Sequence, residues 1–152
     1  MPYALTLHLL AAVIWVGGMF LAYVCLRPVA ASLLEPPLRL PLWSALFGRF
    51  FPWVWAAVVL LLVTGHWMIA LFGGFAAVGL HVHIMLATGY LMIALFLHLY
   101  FAPFQRLKRA VAASEWPVAG IQLNQIRRIV GINLILGLVT IANAVAGRFL
   151  YA

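Results

Sequence analysis

Acid is almost missing from this chain. Its 152 residues include two acidic side chains, Glu35 and Glu115, and only 7% of the residues are charged. Neither acid falls in an apolar run, so the paired carboxylates of hydrolysis and of carboxylate-driven proton pumping are excluded. There is no GxSxG turn and no glycine-rich phosphate loop, which removes the usual tools of acyl-enzyme and phosphoryl-transfer chemistry. One cysteine, Cys25, permits no internal disulfide. It sits toward the end of the first apolar run and reads as a packed side chain, not as a soft copper ligand.

What is abundant is apolar surface, at 68% of residues. Tyr3 to Leu26, Phe50 to Phe72 and Phe75 to Gln105 contain no charge, and Ile129 to Gly147 forms a shorter fourth run. Each reaches or approaches the roughly 20 residues that cross a hydrocarbon core as a helix. Without water to satisfy the backbone such runs must be helical, and barrel strands would alternate instead. The expected fold is all-α: a polytopic membrane protein, an antiparallel four-transmembrane-helix bundle forming one domain over 1–152. Its helices are expected at about 2–27, 48–72, 76–103 and 118–149. Pro28 marks the end of the first, the prolines between Glu35 and Pro41 a loop, and Gly73-Gly74 a tight reversal. The first run is too long for a signal-peptide core, and Gly17-Gly18 leads into bulky Met19-Phe20, so it is expected to be retained.

The net charge is +7, and its distribution excludes nucleic acid as the explanation. Arg27, Arg39, Arg49, Arg106, Lys108, Arg109, Arg127 and Arg128 all fall on one side of a four-span arrangement; Arg148 is on the other. The positive-inside rule then places both termini outside and the long connections in the cytoplasm. Membrane lipid is the expected partner, with the basic face against anionic headgroups.

Polar side chains inside the spans carry the functional signal. His8 lies about five residues inside the outer end of the first helix and His66 about six before the outer end of the second. His83 lies about seven after the start of the third, and Asn143 of the fourth helix lies five before Arg148. At 1.5 Å of rise per residue these agree within a few ångströms, so all four helices supply a polar group to one outer layer. Ionisable groups in a membrane are costly and mark functional sites, and neutral imidazole is the commonest metal ligand. His81 points roughly 200° away from His83; with Met85 it forms a conceivable soft copper pair. His98, near the other end, has no histidine at its depth and is expected to snorkel to the interface.

A haem b would take His8 and His83 as axial ligands from diagonal helices, with His66 as a supporting or alternative ligand. Asn143 and Arg148 would meet its propionates, with Trp15 and Trp67 as walls. Alternatively a copper ion would take His8, His66 and His83 directly. The haem reading implies one-electron transfer between a quinone or periplasmic redox partner and the metal. An oxidoreductase activity and a homo-oligomer are both left open.

The stretch Leu7-His8-Leu-Leu-Ala-Ala-Val-Ile-Trp15-Val-Gly-Gly18-Met-Phe20 resembles the first helix of the CopD-like superfamily of membrane proteins. That superfamily includes copper-resistance CopD domains and HemJ-type protoporphyrinogen oxidases. Arg49 ahead of Phe51-Pro52, and the ending Thr64-Gly65-His66, are similar to its second helix. Leu123-Asn124 through Arg128 and Asn133 to Gly137 are similar to the entry of its fourth. The resemblance implies a cytochrome b-like four-helix bundle in the bacterial inner membrane, with the family's first-helix histidine at His8. HemJ-type enzymes open the third helix with His-x-Lys; here the window reads His81-Val82-His83. Loss of that lysine argues against protoporphyrinogen oxidation and leaves a second axial imidazole at His83.

Overall fold

The computed structural model describes residues 1–150, the side chain of Arg148 excepted. Four helical stretches are long and apolar enough to cross a membrane: Pro2–Leu33, Pro36–Leu71, Leu80–Ala112 and Trp116–Gly147. Their outward faces expose Leu, Ile, Val and Phe along much of their length, as lipid contact requires. The protein is a multi-pass, all-α membrane bundle.

The first span begins as α1 (Pro2–Phe20), with Pro2 in its opening turn, where a missing N–H costs nothing. It does not stop at Pro28. The chain widens into a π-helical stretch, Leu21–Leu26, in which the Arg27 N–H reaches the Ala22 carbonyl, and continues as α2 (Arg27–Leu33). Proline inside an ordinary helix loses a bond and crowds the carbonyl four residues back; the widened turn just before Pro28 re-routes the bonding.

The second span, α3 (Pro36–Leu71), starts well before the expected 48 and runs through Pro41 and Pro52. Pro36 and Pro37 occupy its first turn, so prolines that read as a loop instead open a helix. Gly73 and Gly74, at φ +98° and +91°, reverse the chain in a conformation that side chains disfavour. A 3₁₀ turn at Phe75–Ala77 follows, and α4 (Leu80–Phe101) begins later than the expected 76.

After Ala102 the chain turns into α5 (Pro103–Ala112), which buries Pro103, Phe104, Leu107 and Ala110. Sequence reading treats this basic stretch as a connection. Its apolar residues nevertheless recur at helical spacing, with Arg106, Lys108 and Arg109 exposed around them. The last span is α6 (Trp116–Leu150).

The bundle is built from two close pairs, α1 with α3 and α4 with α6; α5 also lies along α6, and α6 touches α1 and α3. An aromatic cluster joins them. Phe47 stacks on Phe51 at 5.1 Å, and Phe51 meets Phe96 edge-on at 5.5 Å and Phe104 at 4.8 Å. Gly18 lets α1 close onto α3: a Cβ there would fall 2.3 Å from the Phe50 ring. In membranes such close approach supplies packing that the hydrophobic effect does not.

Candidate functional site

The polar residues of the terminal end do not converge on one point. They stitch the four spans together in succession. His8 on α1 bonds Thr64 on α3 at 2.8 Å, His66 on α3 bonds Tyr90 on α4 at 2.8 Å, and Asn143 on α6 donates to the His81 carbonyl on α4 at 2.7 Å. Every span therefore contributes a polar group at this end.

The hydrogen-bond directions determine which nitrogens are free. Thr64 donates its only hydroxyl proton to the Leu60 carbonyl, so toward His8 its oxygen can only accept. His8 must then carry its proton on Nδ1, which leaves a lone pair on Nε2. Gly65 sits beside this ring, and a Cβ there would lie 3.4 Å from His8 Cε1. His66 donates from Nδ1 to the Leu62 carbonyl at 2.8 Å. Its Nε2 lone pair accepts the Tyr90 hydroxyl proton and is occupied. His83 donates from Nδ1 to the Gly79 carbonyl at 3.2 Å, again leaving Nε2 free.

These partners divide the three histidines by role. His8 is half-buried and His83 exposed, and each offers an Nε2 lone pair with its Nδ1 tethered, the arrangement that orients a metal-binding imidazole. His66 is capped. His83 lies three residues inside α4, nearer the helix end than sequence reading places it, because α4 starts at Leu80. Among the described residues, no three His, Cys, Asp or Glu side chains gather closely enough to hold a metal ion. A three-imidazole set of His8, His66 and His83 is therefore not assembled.

The other expected residues are scattered. Trp15, expected as a cofactor wall, is 3% exposed and meets Phe96 edge-on at 6.1 Å within the aromatic core. Trp67 is exposed at the bundle surface. The Arg148 side chain lies outside the described residues. His98 and Cys25 are exposed. Thr64 and Tyr90 are the residues that sequence reading undervalues. The signal was present in both, since Thr64 directly precedes Gly65-His66 and Tyr90 follows His83 by two helical turns.

The family model described as copper resistance protein D, CopD, matches residues 44–147, more than half of the chain. No curated protein and no solved structure matches it.

Proposed function

Because the chain belongs to the copper resistance protein D family, we propose that its terminal end binds copper through the Nε2 atoms of His8 and His83. The observation that carries this reading is the Leu60–Thr64–His8 relay. It leaves an imidazole oriented through Nδ1 and free at Nε2 inside a predominantly apolar span. Imidazole suits copper, and an ion needs little room. His83, exposed at the start of α4, supplies a second lone pair nearer the surface, where an ion would first be met. By the positive-inside rule this end faces the periplasm, so the reading is capture or delivery of copper at the outer face of a bacterial inner membrane.

Haem b is the second reading. It is favoured by the two imidazoles tethered at Nδ1 and free at Nε2, His8 and His83, since two is what a bis-histidine haem iron takes. Bound haem would supply a one-electron couple for exchange with a quinone or a periplasmic acceptor. Room argues against it: the cavity of ≈ 840 Å³ that could take so large a group lies at the other end of the bundle and has no histidine in its lining.

Metal analysis and visible spectra of the purified protein separate the two. Wild type is expected to retain copper and to lack a Soret band, His8→Ala to lose the copper, and His83→Ala to hold less. A Soret band with sharp reduced α and β bands, lost in His8→Ala, would replace copper by haem. Protein whose copper content is indifferent to His8 would sink the copper reading.

A further inference from the structure

At the basic end of the bundle, the π-helical stretch and α2 of the first span, the start of α3 and the start of α6 enclose a cavity of ≈ 840 Å³. Three arginines line it, one from each of these three spans: Arg27, Arg39 and Arg127. All three are half-buried, whereas Arg49, Arg106, Lys108, Arg109 and Arg128 are exposed. The chain's basic charge is therefore not one uniform solvated face. Three of its members are drawn inward around a space.

Among the described residues, that space holds no compensating anion of the protein's own. Glu35 and Glu115 are exposed and neither lines it. Arg39 spends one donor on the Leu34 carbonyl at 3.3 Å, and Arg27 rests over the Tyr23 ring at 5.0 Å. A guanidinium has five donors, so most remain available. Three like charges brought together and partly desolvated without a counter-charge raise the energy of the fold unless an anion joins them. The rest of the wall is apolar, with Trp43, Phe47 and Trp116 prominent. The π-helical stretch at the rim is itself a feature that recurs at functional sites.

The matching ligand has an anionic oxygen cluster at one end and hydrocarbon at the other. We propose that this cavity binds the headgroup of an anionic phospholipid from the leaflet at the basic end. The phosphate lies among Arg27, Arg39 and Arg127, and the adjoining acyl carbons lie along Trp43, Phe47 and Trp116. Guanidinium forks match phosphate oxygens in pairs, and basic pockets between transmembrane helices at this side suit such headgroups. A free phosphate ion shares the charge chemistry but leaves the aromatic walls unfilled. The site stands on its own residues and does not rest on the copper reading.

The test uses the full chain, purified in neutral detergent and titrated with phosphatidylglycerol or phosphatidylcholine while bound lipid is counted by native mass spectrometry. Wild type is expected to prefer phosphatidylglycerol by more than about ten-fold, with each of Arg27→Gln, Arg39→Gln and Arg127→Gln lowering that preference about five-fold. Arg128→Gln, on the exposed face, is expected to leave it unchanged, and inorganic phosphate is expected not to compete. Equal binding of the two lipids by wild type overturns the proposal, and needs no variant to fold. So does an Arg128→Gln loss as large as that of Arg127→Gln, which would mean a diffuse basic surface. Full competition by inorganic phosphate would make the cavity an ion site and overturn it as well.

Discussion

The Tyr90 hydroxyl reaches across from α4 to α3 and donates to Nε2 of His66 at 2.8 Å. The same ring is anchored through Nδ1 to the Leu62 carbonyl, so both of its nitrogens are engaged. This one contact is what makes His66 different from His8 and His83. Tyr90→Phe removes the cap and leaves the ring tethered, so a third lone pair becomes available. The expected outcome is unchanged copper affinity in isothermal titration, because the three imidazoles are not gathered closely enough to share an ion. The bundle should lose only about 0.6 kcal/mol, the average for an interhelical hydrogen bond in a membrane. Tighter binding in Tyr90→Phe, reversed when His66→Ala is added, would show that His66 does lie near the site.

Thr64 is expected to act on the metal through His8 without touching it. Thr64→Val keeps the shape and removes the acceptor for the Nδ1 proton, so His8 can turn or change tautomer. Affinity should fall by about 10- to 100-fold, as when an outer hydrogen-bond partner of a metal-bound histidine is lost. Thr64→Ser should restore most of it. If valine and serine behaved alike, hydrogen bonding would not be the cause.

His98 provides the control for depth. It is exposed near the C-terminal end of α4, far along the span from His83. His98→Ala should leave copper content near wild type. A large loss would move the site to the basic end.

Gly18 and Gly17 should respond differently to the same methyl group. A Cβ at Gly18 would meet the Phe50 ring at 2.3 Å, whereas one at Gly17 meets nothing within 4 Å. Overpacking of this kind costs about 1–3 kcal/mol. Gly18→Ala is expected to lower the thermal unfolding midpoint in detergent and Gly17→Ala to leave it in place. Equal midpoints would mean that α1 and α3 are not packed so closely.

The orientation proposed from the charge distribution is tested in cells. A C-terminal fusion to a reporter active only in the cytoplasm is expected to be silent, and one active only in the periplasm to report. The reverse pattern would put His8 and His83 on the cytoplasmic side and turn copper capture into copper release.

Hydropathy and charge are properties of short stretches, and they add along the chain whatever the neighbours do. That is why the sequence alone determined four spans, the reversal at Gly73-Gly74, the basic end, and a polar residue on each helix near the opposite end. It also bounded the chemistry, because no acid lies in any apolar run. What it left open depends on partners brought from elsewhere. Pro28 looks like a stop until a π turn accommodates it, and α5 looks like a basic loop until Phe104 and Leu107 find the core formed by Phe47 and Phe51. The free nitrogen of a histidine is decided by Thr64 for His8, 56 residues away, and by Tyr90 for His66, 24 residues away. Likewise, Arg27, Arg39 and Arg127 read as three members of a charged face, and only the packing of three spans turns them inward around one cavity.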